Sequence, residues 1–334
     1  MSPVPVVYDT DGGVDDCSAL WYGLVSSEID IVGVTSVHGV VSAQQAAANV
    51  AKVLVAADRT DIPYAVGAEE PIGPRPGFPE AALMHGEDGL GNAGPPDVDL
   101  APTEETGAEL IVRLAKERPG ELTLVAVGPF TNVALALRLE PSLPDLLGDL
   151  VIMGGAARPP GNATPLGEFN VVFDPVASNQ MVLAGWQSPP LMVGLDVTMS
   201  ATMGDAEFDA MNERATPQAR FMADPFVLYR QLSAIETGDG TCPSHDTLTM
   251  MAVEQPDVVS ATELPLVVDT GGDAAFGMTV VDFRAEWLDK GLVPEEFRDM
   301  AIEQFYGGKA KWRIALDVDV EQFRASIRRF YSGG

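Results

Sequence analysis

Apolar positions fall in short β-branched runs separated by longer amphipathic or alanine-rich stretches, the rhythm of alternating strands and helices. Residues 4–8 read as a buried strand, 17–25 as an amphipathic helix and 29–37 as a second buried strand, which together make a βαβ unit. Ser42 starts an alanine-rich helix to 57, and 62–66 form a short third strand. A helix over 106–118, a strand over 122–127, a helix capped by Thr131 or Asn132 and running to 140, and a strand over 150–153 follow. Asp174-Pro175 has the form of an N-cap with proline in the first helical position. Beyond it lie a strand at 191–195, a poorly patterned helical stretch at 205–235 and an apolar helix from 248. Strands at 264–268, 278–282 and 312–318 and an amphipathic helix to 330 complete the chain. The pattern predicts an α/β fold over residues 1–334: a single large Rossmann-like domain, its mainly parallel central sheet flanked by helices and its active site at the C-terminal strand ends. Two irregular stretches, 67–102 and 156–170, are long enough to expect functional loops.

The polar positions converge on one place. The first strand runs into Asp9-Thr10-Asp11-Gly12-Gly13-Val14-Asp15-Asp16, four carboxylates within eight residues. At contact distance such a cluster costs several kcal/mol of repulsion unless a cation or a proton offsets it. A solvated acidic turn is the plain alternative, and Asp15 or Asp16 capping the following helix is another. The position at a strand end, where open α/β sheets keep their ligand crevice, favours a bound ion. Hard oxygen donors such as Asp11, Asp16 and the distant Asp246 suit Ca²⁺, and no Cys or His cluster suggests zinc. A water beside Asp11 then becomes a nucleophile, the carboxylate taking its proton. Judged alone, Asp246 is as well explained as a helix N-cap. His245 adjoins it and can protonate a leaving group, whereas His85 sits in a glycine-rich loop with the character of a lid or of a plain turn. Asn162, Glu168 and Asn170 offer donors and acceptors to sugar hydroxyls.

Charge narrows the partners. With 20 basic and 49 acidic residues the net charge is −29, which repels nucleic acid and anionic membranes and disfavours heavily phosphorylated substrates. No apolar run reaches the length of a membrane span, and two cysteines, Cys17 and Cys242, form no disulfide framework, so a cytoplasmic location is expected. Gly12-Gly13 does not make a phosphate loop, because no G-x-G-x-x-G or P-loop lysine accompanies it.

Taken together the motifs resemble the nucleoside hydrolase family, inosine-uridine preferring type, from end to end. The opening Asp9-Thr10-Asp11-Gly12-Gly13-Val14-Asp15-Asp16 is similar to that family's D-x-D-P-G-x-D-D. Gly128-Pro129-Phe130-Thr131-Asn132, Met153-Gly154-Gly155-Ala156, Gly161-Asn162, Glu168-Phe169-Asn170 and His245-Asp246 follow in the family's order. The resemblance implies Ca²⁺-dependent hydrolysis of the N-glycosidic bond of ribonucleosides to free base and ribose. It implies Asp11 as general base and ligand, Asp16, Asp246 and the Val127 carbonyl as further ligands, and His245 as acid toward the base. Asp15, Asn162, Glu168 and Asn170 would hold the ribose hydroxyls with Met153 against the sugar, and His85 would also face the substrate. A homodimer or homotetramer is expected on the same ground. Gly12 stands where the family usually has Pro, a change of turn stiffness, and Thr247 where Pro often follows His-Asp. Val40 replaces a frequent Asn near the sugar and brings His38 close by, which bears on substrate range. Two other readings stand beside this one. A catalytically silent nucleoside- or sugar-binding protein can use the same fold, and a haloacid dehalogenase-like phosphatase would use Asp9 as nucleophile with Mg²⁺.

Overall fold

The computed structural model describes residues 2–74, 82–213 and 223–332. Its strands are β1 (Val4–Thr10), β2 (Ile29–Ser36), β3 (Tyr64–Ala65), β4 (Thr123–Ala126), β5 (Asp149–Met153) and β6 (Leu191–Val193), then β7 (Thr202–Met203), β8 (Cys242–Pro243), β9 (Val259–Val268), β10 (Thr279–Val281) and β11 (Lys311–Val318). Nine of them form one sheet in the order β10-β9-β11-β6-β5-β4-β1-β2-β3, and β7 pairs with β8 apart from it. From β3 to β11 all neighbours are parallel, while β9 and β10 join antiparallel at one end. After β1 the chain winds outward through β2 and β3, then returns to lay β4 on the other side of β1. That reversal opens a crevice at the C-terminal ends of β1 and β4, the place where this architecture binds ligands.

Side-chain alternation divides the core between the two faces of the sheet. Val6, Tyr8, Val125, Val127, Val151 and Met153 pack on one face with helices Val14–Val25, His245–Glu254 and Val320–Ser332. Val7, Leu124, Ala126, Leu150 and Ile152 pack on the other with helices Gly107–Glu117, Thr131–Leu139 and Pro175–Val182. The fold class expected from the periodicity is therefore observed. Among the described residues no helix is long and apolar enough to cross a membrane.

Several local boundaries differ from expectation for identifiable reasons. The strand expected at 62–66 shrinks to Tyr64–Ala65 because it lies at the sheet edge behind Pro63, which has no N–H to pair. β6 stops at Val193, since Gly194 caps the short helix Leu195–Thr198, and Asp196 in that helix accepts from the Ala157 and Arg158 amides. β9 begins at Val259 rather than 264, its exposed Ser260 and half-buried Thr262 hiding the strand from a hydrophobicity reading. The stretch 205–235 holds helices Asp205–Glu213 and Phe226–Thr237, with 214–222 outside the described residues. The loop 67–102 contains the short helix Ala82–His85, and its residues 75–81 likewise lie outside them.

The turn after β1 depends on Gly12. Its φ is +74°, a Cβ there would lie 2.5 Å from the Ala46 Cα, and its N–H donates to Thr10 Oγ1 at 3.1 Å. Proline can adopt neither that φ nor that hydrogen bond, so glycine here is more than a change of turn stiffness. Gly12→Ala is expected to lower unfolding stability by about 2–4 kcal/mol, from left-handed strain plus the clash with the alanine-rich helix. Denaturant titration of the two proteins checks this, and a loss below about 0.5 kcal/mol would show that the turn can relax into another conformation.

Candidate active site

At the crevice lies a cavity of about 570 Å³, and every residue expected in the site lines it: Asp11, Asp15, Asp16, His85, Val127, Met153, Asn162, Glu168, Asn170, His245 and Asp246. Three elements bring the carboxylates together. β1 delivers Asp11, the first turn of helix Val14–Val25 delivers Asp15 and Asp16, and the first turn of helix His245–Glu254 delivers Asp246. None of these acids is a cap. Gly13 occupies the N-cap of the first helix and Ser244 that of the second, neither making a side-chain cap bond. Asp15, Asp16 and Asp246 sit two or three residues further in, within the first turn, and line the cavity.

Oxygens of Asp15, Asp16 and Asp246 lie within 4.8 Å of one another, all buried. The Asp16 carboxyl is also a hydrogen-bond neighbour of the carboxyls of Asp11 and Asp246. Thr10 Oγ1 donates to Asp16 Oδ1 at 2.6 Å, the Asp11 amide approaches the same oxygen at 3.2 Å, and the Val40 amide holds Asp11 Oδ2 at 2.9 Å. Gly39 must lack a side chain for that last bond, since a Cβ would fall 1.9 Å from Asp11 Oδ2. Burial, reinforced by the neighbouring carboxylates, pushes Asp15 up to about 7 and holds Asp11 and Asp246 well above the usual carboxylate range. Among the described residues lining the cavity there is no lysine or arginine. A buried set of hard oxygens without a lysine or arginine partner fits a divalent, oxygen-preferring ion.

The sugar-side candidates are tied into the scaffold. Glu168 caps helix Phe169–Phe173, its carboxylate accepting from the Gly155, Asn170 and Val171 amides. The Asn170 amide group donates to the Val127 and Met153 carbonyls at 2.7 and 3.1 Å, which leaves its oxygen to accept from a hydroxyl. Asn162 is exposed at the rim and accepts from the Phe169 amide. The lining also includes His85, His245 and Tyr229. His85 Nδ1 accepts from the Val14 amide at 3.1 Å, so its proton resides on Nε2, and burial pushes the ring down to about 4. His245 Nδ1 contacts Thr198 Oγ1 at 2.8 Å, and burial pushes it to about 4 as well. Both rings are neutral at physiological pH.

Tyr229 was not expected in the site. It packs against the His85 ring at 5.0 Å, and its hydroxyl lies 3.4 Å from Asp15 Oδ2. An aromatic in a weakly patterned helix reads as core, and only its hydroxyl hints at more. Met84, Phe169, Phe173 and Met199 line the cavity too, Phe169 and Phe173 stacking at 4.0 Å. Val40 faces the cavity, but His38 does not: it is buried, with Nε2 2.9 Å from Thr131 Oγ1. Asp9 is fully buried and absent from the lining, its Oδ1 accepting from Thr35 and Asn132 at 2.5 and 2.7 Å. It lacks the access a phosphatase nucleophile needs.

Comparisons of the sequence and of the fold with known proteins give concordant matches. The family model described as Inosine-uridine preferring nucleoside hydrolase matches residues 6–325. A pyrimidine-specific ribonucleoside hydrolase, RihA, of Salmonella arizonae is 35% identical over 284 residues, 84% of this chain and 89% of the relative. A probable uridine nucleosidase 2 of Arabidopsis thaliana is 32% identical over 295 residues, covering 86% and 91%. Among solved structures, a plant nucleoside hydrolase superposes with a TM-score of 0.88 at 26% identity, covering 99% of this chain and 100% of that one.

The raised carboxyls make stability depend on pH with a definite sign. Between pH 6.5 and 8.5 the unfolded chain has released the protons of Asp9 and Asp15, whereas in the folded state both titrate near 7. The folded state binds more protons over this window, so its stability falls as pH rises. The histidines, pushed down by burial, act with the opposite sign only below about 6.5. In chelator the melting temperature is therefore expected to drop from pH 6.5 to 8.5, and millimolar Ca²⁺ should raise it more at pH 8.5 than at 6.5. A calcium effect of equal size at both pH values in differential scanning fluorimetry would contradict the carboxylate site.

Proposed function

The chain belongs to the inosine-uridine preferring nucleoside hydrolase family, and on that premise we propose that Asp11 is the general base of its reaction and that Asp11, Asp16, Asp246 and the Val127 carbonyl hold Ca²⁺. The enzyme is an N-glycosidase that hydrolyses ribonucleosides. The observation that carries the site assignment is the convergence of Asp15, Asp16 and Asp246 oxygens within 4.8 Å in a cavity whose described lining has no lysine or arginine. Asp15 belongs to that trio, so beside binding a ribose hydroxyl it would also lie within reach of the ion held by its neighbours. Calcium, when bound, supplies charge compensation and a lowered pKa for a water. Asp11 takes that water's proton, its carboxylate aimed by the Val40 amide.

The remaining residues sort by the face they present. Asn162, Glu168 and Asn170 orient the ribose hydroxyls, Met153 packs against the ring, and the carboxylate floor favours the positive charge that develops on the sugar as the glycosidic bond breaks. His245 and His85 meet the base. Because burial keeps both rings neutral, His245 assists departure by donating a hydrogen bond rather than by holding a standing charge. The names of the similar enzymes point first to uridine among substrates. Two buried thiols, Cys17 and Cys242, suit a reducing cytoplasm, and assembly as a homodimer or homotetramer belongs to the same proposal.

A panel of purine and pyrimidine ribonucleosides assayed for free ribose, with and without chelator, tests the reading. Turnover of uridine that is lost in chelator and restored by Ca²⁺ is expected, and Asp11→Asn should lower kcat by about 10²–10⁴ with nucleoside binding retained. Ribose release from none of them by the wild-type protein would instead identify a binding protein. Asp9 and Asp16 separate in a second measurement. Asp9 supports β1 through Thr35 and Asn132 away from the cavity, so Asp9→Asn should weaken calcium binding less than Asp16→Asn in isothermal titration. Equal losses would place Asp9 in the ion site.

A further inference from the structure

We propose that His38, buried outside the cavity, is a positioning residue that fixes Asp11 through the turn between β2 and the helix Ala43–Ala56. Thr131 Oγ1 has one hydrogen and donates it to Asp174 Oδ2 at 2.8 Å. The 2.9 Å contact between His38 Nε2 and the same oxygen is therefore a bond in which His38 donates. Asp174, fully buried, accepts also from the amides of Ile72, Gly73 and Ala177, which locks it in place and with it the direction of the Thr131 hydroxyl. The imidazole is thus pinned at one end of a rigid chain of donors and acceptors.

The other end of that chain is the catalytic carboxylate. The Val37 amide bonds to the Thr10 carbonyl, the His38 amide to Ala68, and the Val40 amide to Asp11 Oδ2 at 2.9 Å. Asn132, next to Thr131, holds the Ser36 carbonyl at 2.8 Å and Asp9 at 2.7 Å. The first turn of helix Thr131–Leu139 therefore grips the β2 turn on both sides of Val37, by Asn132 before it and by Thr131 after it. Between His38 and Val40 stands only Gly39, packed directly on the Asp11 carboxylate. A shift of the imidazole has nowhere to dissipate before it reaches the Val40 amide. Displacing a catalytic group by about an ångström is enough to cost on the order of 10²-fold in rate.

This inference rests on Asp11 acting as base in the proposed reaction, and its test carries one readout that does not. In His38→Phe, which keeps the volume and removes the donor, kcat on uridine is expected to fall about 10- to 100-fold with KM within about threefold. Protection of the Val40 amide from hydrogen exchange should fall at the same time. His38→Gln, which retains an N–H donor, should recover a substantial part of both. Thr131→Val removes the acceptor from the opposite side and carries the same expectation if His38→Phe does not fold. Where both single variants fold, the His38→Phe, Thr131→Val double variant should be little worse than either single one. If the wild-type protein turns over no nucleoside, Val40 protection alone decides. Unchanged Val40 protection in folded His38→Phe, or unchanged kcat in an enzyme that is active, overturns the assignment.

Discussion

The structure depends on one electrostatic constraint: several carboxylates are buried at the end of β1 and no lysine or arginine among the described residues shares their cavity. Part of the offset comes from backbone. Asp15, Asp16 and Asp246 all lie in first turns of helices, where unpaired amides and the helix dipole favour negative charge. That contribution is about 0.3–2 kcal/mol per terminus, small beside the several kcal/mol of repulsion among buried like charges. The rest must come from protons or from a cation, and the upward displacement of Asp11, Asp15 and Asp246 is the protonic form of that offset. The same demand explains the geometry around the site. Helices Val14–Val25 and His245–Glu254 pack on the same face of the sheet with their N-termini at the crevice, an arrangement that makes a place for charge rather than avoiding it.

Much of this was legible in the order of residues. Continuous apolar runs in β1, β4 and β5 identify central strands because both faces of the sheet are covered, and the loops that follow them carry acids and amides that meet in the cavity. What could not be read was the destination of helix-start side chains. Asp15, Asp16, Thr131 and Asn132 have the chemistry of caps, yet Gly13 and Phe130 hold the N-cap positions without side-chain bonds. Thr131 reaches Asp174, and Asn132 reaches Asp9 and Ser36. Ser42 and Asp174, remote from the carboxylates, do cap as their sequence suggests. Local capping rules held at Ser42 and at Asp174, whose carboxylate caps while also accepting from Thr131, Ile72 and Gly73. They failed where tertiary contacts made a stronger demand.

Tyr229 illustrates a different limit. Its helix, Phe226–Thr237, has apolar residues on more than one face, with Val227 and Ile235 exposed, so periodicity does not say which side meets the protein. Only the assembled fold shows that Phe226 and Tyr229 turn inward while the tyrosine hydroxyl approaches Asp15. His38 was misplaced for a related reason. Proximity in sequence to Val40 suggested proximity to the sugar, but successive residues of a tight turn point to different sides, and the ring goes to Thr131.

These displaced expectations share a cause. A site that must hold carboxylates at contact distance in a nonpolar surround needs each oxygen restrained, because mutual repulsion acts to spread them. Asp16 is restrained by Thr10 and the Asp11 amide, Asp11 by Val40, and Glu168 by three amides of its own loop. Behind them a second tier restrains the restraints: Asp9 with Thr35 and Asn132 across β1, β2 and the helix after β4, and Asp174 with Thr131 and His38. The polar residues of this tier are buried without touching the cavity, a costly placement unless satisfied. Their hydrogen bonds offset part of that cost, Asp9 Oδ2 being buried without a hydrogen-bond partner, and their rigidity lets the carboxylates stay in place whether the compensating charge is a proton or an ion. Preorganisation of this kind puts the expense of assembling the site into folding, so that it need not be met when substrate binds.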